Sequence, residues 1–151
     1  MDPVRALQEV FIFKDVPEPI LALLAGAAEE MSVRAGETIL SKGDVPNALY
    51  LIRNGTVRVT SEVQDTPPFH FGSGETIGEL PFIDGGPVAV TAVALERADL
   101  LVIRAKNLEA ILQARPEAGY QFYRAIAGSL ARRVRRVAGV LALNREREGR
   151  G

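Results

Sequence analysis

Between residues 32 and 103 the chain alternates short runs of β-branched and aromatic residues with isolated glycines. The glycines are Gly36, Gly43, Gly55 and Gly74. The runs, which are rich in Val, Ile, Thr, Tyr and Phe, are Val33, 38–40, 48–52, 56–60, 69–71, 89–94 and 100–103. Such runs are typical of β-strands. Many short strands separated by turns favour an antiparallel sandwich, barrel or roll over a parallel sheet.

One pair of these runs carries a hairpin signal. Asn54-Gly55 lies between Tyr50-Leu51-Ile52 and Val57-Arg58-Val59. An Asn-Gly pair suits the type I′ turn because both central residues of that turn need positive φ. The sequence therefore predicts that the strands on either side of Asn54-Gly55 pair with each other.

Helical patterns flank the strand-rich region on both sides. Two of them, at 4–11 and 18–31, precede the strands. After the strands a short helix ends near Leu112, and Pro116 suits the first turn of a long final helix. The expected fold is therefore mainly β with flanking helices: an antiparallel, jelly-roll-like β-roll with N-terminal helices and a long C-terminal helix.

A chain of 151 residues is about one domain's worth. We expect residues 1–115 to form the β-roll domain with its flanking helices. Residues 116–145 are expected to form a C-terminal dimerisation helix, and residues 146–151 a disordered tail.

The final helix has the most regular apolar pattern in the sequence. Its members are separated alternately by three and four residues: Tyr120, Tyr123, Ala127, Leu130, Val134, Val137 and Leu141. A repeat of 3.5 residues is the seam of a coiled coil and predicts a parallel homodimer that pairs through the stripe from Tyr123 to Leu141. The alternative is a helix that lies on its own domain, for which a wider stripe of period 3.6 is usual.

Composition excludes several classes of protein. The chain has no cysteine and one histidine, so a disulfide framework and a metal site built on thiolates or several histidines are excluded. No apolar stretch approaches the roughly 20 residues that span a bilayer, and the N-terminus lacks signal-peptide order. No nucleotide-hydrolase, nucleophile-elbow or metalloprotease motif occurs. We expect a cytoplasmic protein that is not an enzyme, has no membrane association and holds no metal.

The net charge of −1 conceals a basic C-terminal part. Residues 115–151 hold nine arginines and three glutamates, and the sharpest cluster is Arg132-Arg133 with Arg135-Arg136. These arginines flank the seam. They can form a solvated helix face, pair with the acidic β-roll, or complement the helix C-terminal dipole; the rival role is binding of nucleic-acid phosphates. Because the chain ends soon after the seam, we expect no recognition helix and no specific nucleic-acid binding.

A glycine-rich segment between the strands has the character of a ligand site. It reads Gly-Glu-Thr-Ile-Gly-Glu-Leu-Pro-Phe-Ile over 74–83, followed by Asp-Gly-Gly-Pro and Val-Ala-Val-Thr over 84–91. The pattern predicts a strand, a tight turn, one helical turn started by Pro81, a second turn and a new strand. A glycine turn that leads into a helix N-terminus directs backbone N–H groups at one point, which suits an anion.

This segment resembles the phosphate-binding cassette of cyclic-nucleotide-binding domains. The family pattern is Gly-Glu-Leu-Ala-Leu, a short turn, then Pro-Arg-Ser/Ala-Ala-Thr. The resemblance covers nearly the whole chain and extends to the regulators similar to catabolite activators. Its other landmarks are Phe11 with Phe13, 21–24, 36–39, 43–44, 50–52 and 54–57, followed by the two C-terminal helices.

The resemblance implies roles for individual residues. Gly78 and Glu79 hold the ribose, with Glu79 accepting a hydrogen bond from the 2′-hydroxyl. The family arginine, which pairs with the cyclic phosphate, falls at Val88 in this chain. The ligand-binding residues implied are Gly78, Glu79, Leu80, Pro81, Val88, Ala89 and Thr91.

Three positions depart from the family pattern. Val88 replaces the arginine, Val90 replaces a small residue, and Pro81 replaces an alanine and removes a backbone donor. Loss of one partner of a buried charge pair costs about 2–5 kcal/mol, which is roughly 30- to 5,000-fold in affinity. The cassette is therefore degenerate, and we expect weak or no binding of cyclic nucleotides.

The hypothesis from sequence is a non-catalytic regulatory module without a cofactor, which works as a homodimer and acts on a partner, such as another protein, through its pocket or surface. The resemblance implies that the C-terminal helix is the output element. One alternative is a functional sensor of cyclic AMP or cyclic GMP, in which Arg53, Arg58 or Arg97 replaces the missing arginine. The other is a transcription regulator that lacks its DNA-binding domain.

Overall fold

The computed structural model describes residues 3–10, 13–61 and 67–149 of the chain. Its helices are α1 (Pro3–Gln8), α2 (Glu18–Ala27), α3 (Glu79–Asp84), α4 (Ala105–Ala114) and α5 (Pro116–Gly149). Its strands are β1 (Ala28–Val33), β2 (Thr38–Leu40), β3 (Ala48–Asn54), β4 (Val57–Ser61), β5 (Phe69–Phe71), β6 (Thr76–Ile77), β7 (Val90–Ala94) and β8 (Ala98–Arg104).

The strands form two four-stranded sheets. One sheet has the order β1-β8-β3-β6 and the other has the order β2-β7-β4-β5. All the strand pairs are antiparallel. The predicted fold, an antiparallel β-roll with flanking helices and a long C-terminal helix, is confirmed.

The central strands of the first sheet, β3 and β8, are buried on both faces, and their side chains alternate between two hydrophobic cores. Leu49 and Leu101 face the helices, where they pack with Phe13, Leu24 and Phe122 in what we call the helix-side core. Their strand neighbours face the interior of the roll. This roll-side core consists of Val33, Leu40, Ile52, Val57, Val59, Ile77, Val88, Ala92, Ala94, Ala98 and Leu100.

The predicted hairpin at Asn54-Gly55 is wrong. The strands on either side of it, β3 and β4, belong to different sheets, so the chain crosses from one sheet to the other at this point. Gly55 has φ 96°, and a Cβ there would lie 2.5 Å from the carbonyl oxygen of Arg97. The glycine is needed because this crossing packs against the β7–β8 crossing. The Leu95 N–H donates to the carbonyl of Thr56 over 2.9 Å between the two crossings.

The N-terminal helices are shorter than predicted. α1 ends at Gln8, and α2 ends at Ala27 instead of continuing to residue 31. Residues 28–33 form β1, which pairs with β8 from Ala28 opposite Ile103 to Val33 opposite Ala98. Ion pairs from this strand join Glu29 to Arg104 on the adjacent β8 and Glu30 to Arg53 on β3, one strand further across the sheet. Sheet pairing has therefore overridden the local helical pattern.

Two further boundaries differ from the expectations. α3 begins at Glu79, two positions before Pro81, which lies in the first turn where a missing N–H leaves no bond unmade. α5 is helical to Gly149, beyond the predicted end at 145 and into the predicted tail. Across the described residues, no helix combines the length and the apolar character needed to cross a membrane.

Candidate functional site

The turn before α3 requires glycine for two reasons. Gly78 caps the helix with φ 94°, in the left-handed region that side chains rarely adopt. A Cβ at Gly78 would also lie 3.0 Å from the carbonyl oxygen of Ala48 on β3. The turn places α3 against the end of β3, at the position that the sequence assigned to the first half of the cassette.

The second half of the cassette is a loop held by backbone hydrogen bonds. The Val88 N–H donates to the Asp44 carbonyl over 2.8 Å, and the Gly43 N–H donates to the Val88 carbonyl over 2.8 Å. The Val88 side chain is 6% exposed and belongs to the roll-side core. Where the family pattern has an arginine, this chain therefore has a buried apolar side chain fixed on both sides by its backbone.

A cavity of about 400 Å³, which we call the cassette cavity, lies between α3, this loop and the second sheet. Four predicted site residues line it: Gly78, Pro81, Val88 and Ala89. Thr91 lies outside it, and its hydroxyl accepts a hydrogen bond of 3.1 Å from the Lys42 N–H. The side chains of Glu79 and Leu80 lie outside the described residues.

The walls of the cassette cavity are mainly apolar. The apolar side chains are Val59, Phe69, Phe71, Ile77, Pro81, Pro87, Val88, Ala89 and Val90. Polar character comes from Thr76, from Asp84 and from Arg133 of α5. The Asp84 carboxylate accepts a hydrogen bond from the Gly86 N–H over 2.8 Å, so it supports its own turn.

Arg133 is a lining residue of the cassette cavity that sequence reasoning did not place there. The sequence assigned it to the rim of the seam, but it lines the cassette cavity on the domain-facing side of α5. A second apolar stripe could have revealed this, because Phe122 and Ile126 are fully buried against the domain. Arg133 continues that stripe at helical spacing, seven residues beyond Ile126.

None of the three arginines proposed as substitutes lines the cassette cavity. Arg53 forms an ion pair of 3.1 Å with Glu30, and Arg97 lies 3.7 Å from the carboxylate of Asp99. Arg58 is exposed on β4, between two buried valines that face the roll interior. Arg58 and Arg97 are therefore exposed at the surface, while Arg53 is largely buried and lines a different cavity together with Ala6 and Val10.

A second cavity of about 240 Å³, the basic cavity, adjoins the first. It shares Thr76 and Arg133 with the cassette cavity, and Gly74, Glu75, Ser129, Arg132 and Arg136 complete its lining. Burial raises the pKa of the Glu75 carboxyl, while a hydrogen bond from the Gly72 backbone and the charges of Arg133 and Arg136 lower it, with a net rise. The C-terminal arginines thus face an acidic residue of the β-roll.

The family model of the cyclic nucleotide-binding domain matches residues 30–115. The chain belongs to this family. The match includes both halves of the cassette and all eight strands except the first two residues of β1.

Named relatives place the domain within longer proteins. It is 32% identical over 103 residues to the cyclic AMP receptor protein of Thermus thermophilus, covering 66% of this chain and 46% of that protein. It is 32% identical over 123 residues to lysophospholipase NTE1 of Cryptococcus neoformans, covering 80% of this chain and 7% of that enzyme. The crystal structure of the Thermus thermophilus catabolite activator protein aligns with a TM-score of 0.73 at 27% identity, over 87% of this chain and 62% of that chain.

In this cyclic nucleotide-binding domain, aromatic rings connect α3 to α5. The Phe82 ring lies 5.7 Å from that of Phe122, edge to face, and 6.4 Å from that of Tyr123, stacked. The Phe122 ring also lies 5.9 Å from that of Phe13. Displacement of α3 by a bound molecule would therefore act directly on the first half of α5.

The predicted dimer seam is only partly separate from the stripe of α5 that packs on the domain, because the Tyr123 ring also stacks on Phe82. Tyr123 and Val134 are 45% and 67% exposed, and Ala127 is exposed as well. Leu130 is half-buried and packs against the helix-side core. The side chains of Val137 and Leu141 lie outside the described residues.

Proposed function

We propose that this domain is a non-catalytic regulatory module whose cassette binds cyclic AMP and cyclic GMP weakly or not at all. The observation that carries the proposal is the buried side chain of Val88 at the position of the phosphate-binding arginine. A cyclic phosphate placed there would lose its solvation without gaining a cationic partner, which is costly in an apolar environment.

The relatives support a regulatory role and set its limits. The domain spans less than half of the receptor protein and a small part of the lysophospholipase that it matches. The match is to a regulatory domain family, and its residues include both halves of the cassette. We therefore assign this chain the sensing step, and we assign catalysis to no residue of it.

Calorimetric titration of the purified chain with cyclic AMP and cyclic GMP tests the proposal. We expect no dissociation constant tighter than about 100 μM, because the lost charge pair would weaken a micromolar site by roughly 30- to 5,000-fold. A low-micromolar constant for either nucleotide would contradict it.

One observation favours a second candidate, the functional sensor. Arg133 lines the cassette cavity and is the cationic residue available to a phosphate bound there, among the described residues. If this sensor exists, cyclic AMP binds at low micromolar concentration to the wild type and is weakened by Arg133→Gln. The same titration therefore distinguishes the two candidates.

The output of the module, in our proposal, is a homodimer that pairs through α5. Three seam residues are exposed along α5, while its buried stripe already packs on the domain. A long exposed apolar stripe is rarely left uncovered in a monomer, and a second copy of the same helix has the complementary 3.5-residue period. The aromatic contacts from α3 would connect the cassette to this pairing.

Light scattering on the purified chain tests the dimer. We expect the mass of two chains at micromolar concentration, and a monomer for Val134→Asp, which places a carboxylate in the seam. Arg135→Asp is the matched control, because it adds the same side chain to an exposed position outside the seam. A wild-type monomer would refute the proposal.

A further inference from the structure

The cassette cavity has the wrong chemistry for a sugar phosphate but a suitable one for an apolar body. Its volume of about 400 Å³ lies within the range of small-molecule sites, roughly 300–1,000 Å³. Phe71 and Val88 line it on opposite elements, the second sheet and the cassette loop. Apolar walls stabilise the binding of apolar ligand atoms because water is excluded from both surfaces. They offer few hydrogen-bond partners to hydroxyl groups.

The polar end of this cavity lies where it meets the basic cavity. Both cavities are lined by Thr76, which is 1% exposed, and by Arg133. Arg132 and Arg136 line the basic cavity from the same helix, opposite the carboxylate of Glu75. Among the described side chains that line the basic cavity, three arginines and one glutamate leave an excess of positive charge, so an anionic group would be attracted to it.

We propose that the two cavities together bind an apolar carboxylate, with its carboxylate on Arg133 and its hydrocarbon body in the cassette cavity. The inference rests on the proposed function, because it takes the cassette to be a site that has lost cyclic nucleotide. In this arrangement α5 supplies the cation that the cassette loop lacks. An arginine guanidinium suits the role because its planar fork can bind both carboxylate oxygens.

Glu75 sets the selectivity of the junction. Its carboxylate already interacts with Arg133 and Arg136, so an entering ligand must compete with it for these cations. A neutral ligand can accept a hydrogen bond from the arginines but forms no ion pair with them. A ligand of higher charge would have to bring several anionic oxygens to a junction that also holds the glutamate. A single carboxylate matches the excess charge best.

The test uses octanoate and its uncharged counterpart octan-1-ol as probes of the purified full chain. We expect octanoate to bind with a dissociation constant at or below about 1 mM, and octan-1-ol about 10-fold or more weakly. In the amide NMR spectrum, octanoate should shift the signals of Phe71, Thr76 and Val88 and leave those of α1 in place. Absence of octanoate binding, or shifts confined to other residues, would overturn the proposal.

Two variants separate the carboxylate end from the apolar end. Arg133→Gln should weaken octanoate by about 10- to 100-fold and leave octan-1-ol unchanged. Val88→Thr, which keeps the shape and replaces one methyl group with a hydroxyl, should weaken both probes alike. Arg135→Gln is the matched control, because Arg135 is exposed on the same helix and lines neither cavity. Equal octanoate affinity in the wild type and Arg133→Gln would overturn the assignment of Arg133.

The outcomes distinguish this inference from the proposed function. Tight binding of cyclic AMP refutes the proposed function whatever octanoate does. If neither cyclic nucleotide nor octanoate binds, the proposed function stands and the inference fails. Thermal melts of the variants show whether each is folded, and the spectra of the wild type test the site without any substitution.

Discussion

The two hydrophobic cores on either side of the first sheet are built for different purposes. The centre of the helix-side core is filled by rings: Phe13 and Phe122 are fully buried, and their ring centroids lie 5.9 Å apart. A cavity of about 260 Å³ borders this core beside Ala6 and Val10. The roll-side core is made of smaller side chains, and a cavity of about 400 Å³ lies along its edge at Val88. One sheet therefore separates an interior that contains large aromatic rings from an interior that borders the cassette cavity.

The difference between the two cores predicts which substitutions change the stability of this domain and which change what it binds. Large side chains that interdigitate in the helix-side core bury apolar area at high packing density. Truncation of one of them therefore leaves a cavity. On the roll side, residues beside the cavity already border empty space. A change at Val88 should therefore alter what the domain binds more than how firmly it folds.

The largest expected effect is on the helix side. Phe122→Ala removes a ring that contacts Phe13 and Phe82, and we expect it to lower the free energy of unfolding by about 3–5 kcal/mol. Urea denaturation monitored by circular dichroism measures the change. Tyr120→Ala, on the exposed face of the same helix, is the control and should cost less than about 1 kcal/mol. Equal losses for the two variants would show that the helix-side core is not the main source of stability.

The next effect is on the roll side and concerns affinity. Val88→Arg restores the cation of the family pattern, and we expect cyclic AMP to bind about 30- to 5,000-fold more tightly than to the wild type. Val88→Met, which has a long side chain but no charge, is the matched control and should give no gain. Calorimetry measures both.

A failure of Val88→Arg to improve binding, in a variant that remains folded, would locate the defect elsewhere in the cassette. Pro81, which lacks a backbone N–H, and Val90, which lines the same cavity, would then be responsible. The contrast between the helix-side core and the roll-side core would hold, but position 88 alone would not control the binding of cyclic AMP.

The smallest effect is the pH dependence at the edge of the roll. Burial raises the pKa of Glu75 in the folded state, so ionisation of this group opposes folding. The cost to stability appears as the pH rises from the pKa of the unfolded carboxyl to the higher pKa of the folded one. Glu75→Gln should therefore raise the urea midpoint at pH 7 and match the wild type below about pH 4, where the carboxyl is protonated in both states. Glu109→Gln, an exposed change on α4, is the control. A midpoint lowered at pH 7 would mean that attraction to the arginines outweighs burial.

Much of the fold could be predicted from the sequence because it depends on local patterns. The runs at 38–40 and 69–71 coincide with β2 and β5, and those at 48–52 and 100–103 lie within β3 and β8. The turn at Gly78 could be predicted because a left-handed backbone conformation favours glycine whatever lies around it in the fold. The placement of Val88 at the arginine position came from the resemblance to the family cassette, not from the chain's own pattern.

Only the tertiary structure decided the features that depend on distant partners. The Asn54-Gly55 pair is a crossing between sheets because Arg97 and Ala98, far along the chain, occupy the space beside Gly55. Residues 28–31 are a strand because β8 offers them a pairing edge. Arg133 faces the cavity because Phe122 and Ile126 fix the rotation of α5 against the domain. In each case a local pattern allowed two arrangements, and packing against residues remote in sequence selected one.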